Sequence, residues 1–452
     1  MSALPRIAVG TIQPEADLRA MLWALMEALR ESGLQVQGFL SQASFVAFHG
    51  AATASGLSPR HLDSWLMSPE TCRWLFAQGA SCCDLAVVQG SFVPPRAGED
   101  GQGGSLETLC QWLDLPRIVS LDVSAAGGRG LPRPARVDAL LLDGVEDAQD
   151  LARLSDELES CWEVPVLGGL EALPELRAEV AAVPKGTRPP RELCQRLGSQ
   201  MLRHMQPQRV MQLASQRKLP WASEPPFDTP WDASSSPLVV ALAYDKAINC
   251  YFPDTLDLLE SRGATVVDFS PLRDERLPPD TDIVYLGCGH PEYHAAELSQ
   301  NHCMKLALRN HLRRGGRLYA EGGGLAYLCQ QMEIGEGELW RMAGVFPATA
   351  HLCPNAGLPA PLEVTLDQGT WLAERGARLR GYEIPRWRIQ PADGLTGCIA
   401  EADHRNILVK NARALGSQLH LHFAVLPDLF SSFLKVDPLG PCPPDPIPPA
   451  SC

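Results

Sequence analysis

The sequence predicts an α/β protein of two consecutive domains, each a mostly parallel sheet covered by helices. Three observations carry that expectation. Apolar runs without polar alternation, such as Asp84–Val88, Arg117–Leu121 and Ala139–Leu142, mark strands buried on both faces. Between them lie segments with apolar positions at helical spacing, as in Leu18–Arg30. The alternation is interrupted once, by the proline- and serine-rich stretches Trp221–Pro230 and Ser234–Pro237, and then resumes from Leu238 to Leu434. A chain of 452 residues also exceeds what one ordinary core organises. We divide it into a first domain at 1–215, a linker at 216–237, a second domain at 238–436 and a proline-rich tail at 437–452. There is no internal repeat.

Composition excludes several classes. The apolar fraction of 45% and charged fraction of 20% are ordinary for a globular protein. A net charge of −14 and a pI near 5.3 argue against nucleic acid or an anionic membrane as the main partner. No apolar run reaches membrane-spanning length, and strand-like Ile7-Ala8-Val9 follows the start with no room for a signal peptide. The expectation is a soluble, cytoplasmic protein. The 14 cysteines are scattered, with no Cys-x-x-Cys pair, and read as small buried hydrophobes of a reducing compartment. Cys288-x-His290 with His294 has a loose ligand look, but the expectation is no metal.

In the first domain, an ATP-using fold needs a glycine-rich loop after the opening strand, a lysine for the β- and γ-phosphates and a hydroxyl for Mg²⁺. The stretch Gly10–Arg19 keeps Gly10 alone as a glycine and carries Glu15 and Asp17 where phosphate would sit. The first lysine of the chain is Lys185, so no lysine can serve. Arg19 is the basic substitute on offer, but no nest of backbone N–H groups adjoins it.

In the second domain, Arg317-Leu318-Tyr319-Ala320-Glu321-Gly322-Gly323-Gly324-Leu325 reads as a strand, a tight glycine turn and a helix. Such a turn lifts a nucleophile above the sheet. Here the apex is Gly322, and Cys329 falls seven residues and about two helical turns beyond it, so it is expected to point away from the site.

These segments carry a specific resemblance. Val239–Asp254, Phe269-Ser270-Pro271-Leu272, Tyr285–Glu292 and His420-Leu421-His422-Phe423 are similar to the amidotransferase half of cobyrinate a,c-diamide synthases. Phe48–Thr53, Leu62–Met67 and Asp84–Gly90 resemble the synthetase half of that family. The resemblance implies a degenerate P-loop NTPase-like domain followed by a class I glutamine amidotransferase-like domain. It implies ATP and Mg²⁺ as cofactors and amidation of cobyrinate-type carboxylates with glutamine-derived ammonia in cobalamin biosynthesis.

The departures from the pattern point elsewhere. Gln89 replaces an acidic Mg²⁺ ligand and Asp143 a base-reading asparagine. Leu40–Phe45 replaces a charged loop. Asp63 and Trp65 match a motif but read as a cap and a core residue, and Gly103-Gly104-Ser105 as a helix start. His420 matches the catalytic histidine, and Gly287 and Gly289 belong to the oxyanion loop. Gly322 stands where the nucleophilic cysteine belongs. Cys288 departs from a glycine and is the one candidate for a relocated nucleophile. Gly381–Trp387 replaces a histidine-bearing segment and reads as a remodelled surface. The expectation is a non-catalytic homologue without cofactor, vestigial at Gly10, Gln89 and Asp143. It would bind a tetrapyrrole-type or carboxylate small molecule, or pair with an active paralogue or a second copy of itself. The alternatives are a working amidoligase, or new chemistry on Cys288 and His420.

Overall fold

The computed structural model describes residues 4–44, 48–93, 103–124, 130–184, 188–217, 237–335, 337–354, 357, 359–383, 385–392, 398–402 and 405–435. Most of the expected linker, the tail, Phe45, Lys185 and Ile384 lie outside them. The chain divides into two compact units, Met1–Pro226 and Phe227–Cys452.

The first unit is built on strands β1 (Arg6–Thr11), β2 (Val36–Leu40), β3 (Arg60–His61), β4 (Leu85–Ser91), β5 (Arg117–Asp122), β6 (Ala139–Val145) and β7 (Val166–Glu171). They form one sheet in the order β3-β2-β4-β1-β5-β6-β7, every pairing parallel. Its helices are α1 (Arg19–Glu31), α2 (Phe48–Ser55), α3 (Pro69–Ala80), α4 (Leu106–Trp112), α5 (Ala148–Trp162), α6 (Pro174–Ala182), α7 (Arg191–Leu202) and α8 (Pro207–Ala214).

Two hydrophobic clusters show why the strands are apolar on both faces. Ile7, Val9, Val87 and Leu141 pack with Ala24, Leu25, Leu197 and Met201 of α1 and α7. Val119, Leu121, Leu140 and Leu142 pack with Leu151 and Leu158 of α5. Alternate residues of β6 therefore enter opposite cores, which is how a parallel sheet is sandwiched between helix layers. Helix starts are fixed by short polar side chains: Ser68 accepts from Thr71 N, Ser105 from Thr108 N, and Asp147 from Gln149 N and Asp150 N.

The second unit continues with β8 (Val239–Ala243), β9 (Ile248–Cys250), α9 (Pro253–Ser261), β10 (Thr265–Phe269), β11 (Ile283–Leu286), β12 (Cys288–Gly289), α10 (Ala295–Gln300), α11 (His302–Arg313) and β13 (Arg317–Glu321). There follow α12 (Gly323–Leu328), β14 (Cys329–Glu333), β15 (Leu339–Arg341), β16 (Phe346–Leu352), β17 (Ala360–Thr365), β18 (Arg378–Glu383) and β19 (Trp387–Pro391). The unit closes with β20 (Cys398–Ala402), β21 (Arg405–Asn411), β22 (Ala414–Ser417), β23 (Leu419–His420) and α13 (Pro427–Leu434).

The main sheet runs β10-β8-β11-β13-β22-β21-β20, parallel from β10 to β22 and antiparallel at the last two pairings. Smaller sheets β15-β14-β16-β19, β17-β18-β23 and β12-β9 complete it.

Two local expectations are corrected. The helix after the glycine turn is only six residues long, so Cys329 opens β14 instead of lying two turns along a helix. Its sulfur is buried and donates to Leu325 O. Within the stretch Gly381–Trp387, read as surface, Tyr382, Glu383 and Trp387 are buried, because β18 pairs with β23 and β19 with β16.

Candidate functional site

In the first unit the strand order places the topological switch between β4 and β1, where parallel α/β sheets bind ligands beyond their carboxyl ends. Gly10 is paired with Gly90 there, and Thr11 with Ser91. A Cβ on Gly10 would stand 2.8 Å from Gly90 O and 2.9 Å from Leu106 Cδ2 and Phe92 Cδ2. Packing against neighbours therefore accounts for this glycine.

The loop that follows is closed by its own side chains. Gln13 Nε2 donates to Asp122 O at 3.0 Å, and Asp122 N donates to Gln13 Oε1 at 2.8 Å, tying the loop to the end of β5. Arg19 turns back on Asp17, with Nη2 2.6 Å from Oδ2. No residue from Gly10 to Arg19 has a positive φ, so the alternating backbone that turns several N–H groups toward one anion is not formed.

The other nucleotide-site positions are likewise committed. Asp143 is buried at the end of β6 and paired with Arg177. Burial raises its pKa, and the nearby Arg177 guanidinium only partly offsets the effect. Gln89 is buried on β4, and its carbonyl accepts from Ser41 N. Asp63 caps a turn by accepting from Trp65 N and Leu66 N and pins the loop after β2 through Ala43 N.

In the second unit, β13 ends on buried Glu321 and the chain reverses through Gly322 at φ +47°, ψ −109° into α12. Gly322 N donates to Ser417 O at 2.9 Å, which locks the turn to β22. The turn lies tightly on the Gly287–Pro291 loop. A Cβ on Gly323 would stand 2.7 Å from Gly289 O, and one on Gly324 2.6 Å from both Gly287 O and Leu286 O. Gly287 and Gly289 are glycines for a related reason: β9 and Tyr251 approach too closely for a side chain at either position. Gly287 N–H is already committed, donating to Tyr251 Oη at 2.9 Å.

Cys288 lies between those two glycines and faces the turn. Its Sγ is 3.1 Å from His420 Nδ1 and 3.2 Å from Nε2, although the residues are 132 apart in sequence. A Cβ on Gly322 would be 2.9 Å from this sulfur and 3.7 Å from His420 Nε2. The sulfur of Cys288 thus borders the space that a side chain at position 322 would enter. Gly323 N–H faces the same sulfur and favours its thiolate.

Glu321 completes the group. Its Oε1 accepts from Tyr319 Oη at 2.6 Å and Leu421 N at 3.2 Å, while Oε2 has no hydrogen-bond partner. The sequence carries a weak signal for it, an acid that closes an apolar strand beside the glycine turn.

Burial dominates the electrostatics. Cys288 is 6% exposed, Glu321 1% and His420 2%. Desolvation pushes the Cys288 thiol well above its ordinary range, with the Glu321 charge adding to it. The same effect lowers His420 to about 3 and raises Glu321 to about 8. Burial therefore favours the neutral form of each of the three groups.

Neither other histidine of the expected Cys288-x-His290 set turns inward on Cys288. His290 Nδ1 lies 2.9 Å from Glu292 Oε1, and His294 Nδ1 3.6 Å from Glu297 Oε1. Arg386 Nε also donates to Glu292 Oε1, at 2.9 Å, joining the Gly381–Trp387 segment to the oxyanion loop. Behind the site His422 is fully buried, with Nε2 3.7 Å from Asp254 Oδ2 and its ring against Phe252.

A mostly parallel sheet with a glycine turn after its central strand, facing a histidine from the last parallel strand's extension, defines an amidotransferase-type unit. A family model for the CobB/CobQ-like glutamine amidotransferase domain matches residues 239–425. The cobyrinate a,c-diamide synthase of Syntrophotalea carbinolica (strain DSM 2380) is 30% identical over 400 residues, covering 84% of this chain and 85% of the relative. That of Salmonella typhimurium (strain LT2) is 27% identical over 431 residues, covering 91% and 93%. The enzyme of that name from Dehalococcoides mccartyi (strain CBDB1) is 27% identical over 463 residues, covering 96% and 98%. The chain belongs to the cobyrinate a,c-diamide synthase family.

Proposed function

We propose that this chain is a non-amidating member of the family, which has kept the two-unit scaffold and lost ATP use. The observation that carries the reading is the loop from Gly10 to Arg19. It has no lysine, its Gln13 is tied to Asp122, and its Arg19 is neutralised by Asp17. A triphosphate needs backbone N–H groups and a free cation at that place. Asp143 and Arg177 reinforce the reading, since each satisfies the other where a nucleotide base would be read.

The role that follows is binding, regulation or scaffolding, in the cytoplasm, without ATP or Mg²⁺. The ligand class that fits this role is a tetrapyrrole-type or carboxylate small molecule, and the partner class is an active paralogue or a second copy of this chain. Calorimetric titration of the full chain with MgATP tests the loss of nucleotide use. The reading expects no saturable heat, and a Kd below about 1 mM would overturn it. The alternative in that event is the ATP-dependent, glutamine-hydrolysing amidoligase.

One observation favours a second reading. Cys288 Sγ, His420 and Gly323 N–H together present a thiol, a base and a backbone donor where the family's nucleophile belongs. Burial works against it by holding both thiol and imidazole neutral. Selective alkylation of Cys288 by iodoacetamide at pH 7 would support thiol chemistry, and inertness in the folded chain would remove it.

A further inference from the structure

Three donors of different chemistry converge in the second unit. Cys288 Sγ, a Glu321 carboxylate oxygen and a His420 ring nitrogen lie within 4.8 Å of one another, all buried. We propose that these three side chains form a binding site for one thiophilic divalent transition-metal ion, with zinc as the type. The inference holds whether or not the first unit handles ATP.

The donor set selects the metal. Thiolate and imidazole suit zinc and its d-block neighbours and are poor ligands for Mg²⁺ or Ca²⁺. Three protein ligands and one open position is the arrangement of a tetrahedral site that admits a further molecule. Bond lengths of about 2.0–2.3 Å place neighbouring ligands of such an ion about 3.3–3.7 Å apart. Cys288 Sγ lies 3.1 and 3.2 Å from the two ring nitrogens, midway between them and along neither lone pair, so coordination requires the His420 ring to turn one nitrogen toward the ion. The Glu321 oxygen lies within 4.8 Å of the other two donors, so the carboxylate has to close by up to about 1 Å to share one ion.

The surroundings support the ligands individually. Tyr319 Oη and Leu421 N–H hold Glu321 Oε1 and fix the carboxylate's orientation. Oε2 is buried without a hydrogen-bond partner, a costly state that coordination would relieve. Gly323 N–H faces the sulfur and stabilises it as thiolate. The open position falls in the space beside Gly322, since a Cβ there would stand 2.9 Å from Cys288 Sγ and 3.7 Å from His420 Nε2. Gly322 is the partly exposed member of the cluster, so this side gives the route from solvent.

The charge balance suits a dry site. Binding breaks the S–H bond of Cys288 and the O–H bond of Glu321 and releases both protons to solvent. M–S, M–O and M–N bonds form with thiolate, carboxylate and neutral imidazole. A divalent ion held by one thiolate, one carboxylate and one neutral imidazole carries no net charge, so none is buried.

The test uses the full chain, stripped with a chelator and titrated with Co²⁺, then with Zn²⁺. One equivalent of Co²⁺ should bind with thiolate-to-cobalt charge-transfer absorption in the near ultraviolet, and Zn²⁺ should displace it. C288S, C288G and H420N should each weaken Co²⁺ binding at least about 100-fold, since even outer-shell losses cost 10–100-fold. E321Q should weaken it while leaving the thiolate absorption. C82S, C161S and C303S, at exposed cysteines, should change nothing. Circular dichroism confirms that each variant is folded, and C288G removes the ligand without adding bulk. No binding by the intact chain, or absorption that survives C288G, would overturn the proposal.

Discussion

Gly322 sits at φ +47°, ψ −109°, a conformation that costs an L-residue about 1–3 kcal/mol before any contact is counted. A side chain there would also press on Cys288 Sγ at 2.9 Å from its first atom. G322C is therefore expected to lower stability by about 2–3 kcal/mol in denaturant unfolding. Adding C288G should recover part of that loss, because it vacates the space the new sulfur enters. A double-mutant cycle measures the coupling, and strict additivity would show that the two positions do not share that space.

Glu292 makes a second residue-scale prediction. Burial alone would raise its pKa, but His290 and Arg386 outweigh burial and hold it below its ordinary value of 4.5. A carboxylate depressed in the folded state contributes stability above its unfolded pKa and loses it as pH falls through the lower folded value. The wild type should thus lose stability on acidification below about pH 4.5, and E292Q should flatten that part of the curve. At neutral pH E292Q should cost about 2 kcal/mol, since it strips a charged acceptor from Arg386. Thermal unfolding across pH checks both statements.

The element that organises the second unit is β13 with its turn and α12. Gly324 lies against two backbone carbonyls that cannot swing aside, at 2.6 Å from an added Cβ. G324A should therefore destabilise by about 3 kcal/mol, more than an alanine at exposed Gly335, where the nearest atom stands 3.6 Å from an added Cβ. Equal effects at the two sites would mean that α12 slides away from the oxyanion loop instead of resisting.

This element was legible in the sequence because its signal is local: an apolar run, three glycines and an apolar continuation. The length of α12 was not legible, since nothing in Gly323–Leu328 marks the stop and the pairing of β14 with distant β16 decides it. Cys329 was misplaced for that reason. The burial of Tyr382, Glu383 and Trp387 escaped likewise, because the proline and tryptophan of that segment suggest surface until β18 meets β23 and β19 meets β16.

At the scale of the whole molecule, the two α/β units follow from the alternation of buried strands and amphipathic helices. The departures in the first loop were also readable, because a missing lysine is a fact of composition. Cys288 was legible as a departure in the loop that faces the missing nucleophile, and so as a neighbour of His420, although the contact spans 132 positions and depends on β12, β13 and β23 meeting. Glu321 was hidden further, since nothing in an Ala-Glu-Gly triplet shows that one carboxylate oxygen is buried without a partner. The Gln13–Asp122 closure was invisible for the same reason, being made by one amide across 109 positions. Among the described residues no helix is long and apolar enough to cross a membrane.

The loss of ATP-driven amidation is the central claim, and free ammonia tests it most directly because it bypasses any nucleophile at Gly322 or Cys288. Full-length chain is incubated with MgATP, cobyrinate and ammonium, and the products are read by mass. The account predicts no amidated cobyrinate and no ADP above a no-enzyme control. Time-dependent appearance of mono- or diamide would contradict it and show that a lysine-free loop closed on itself still handles ATP.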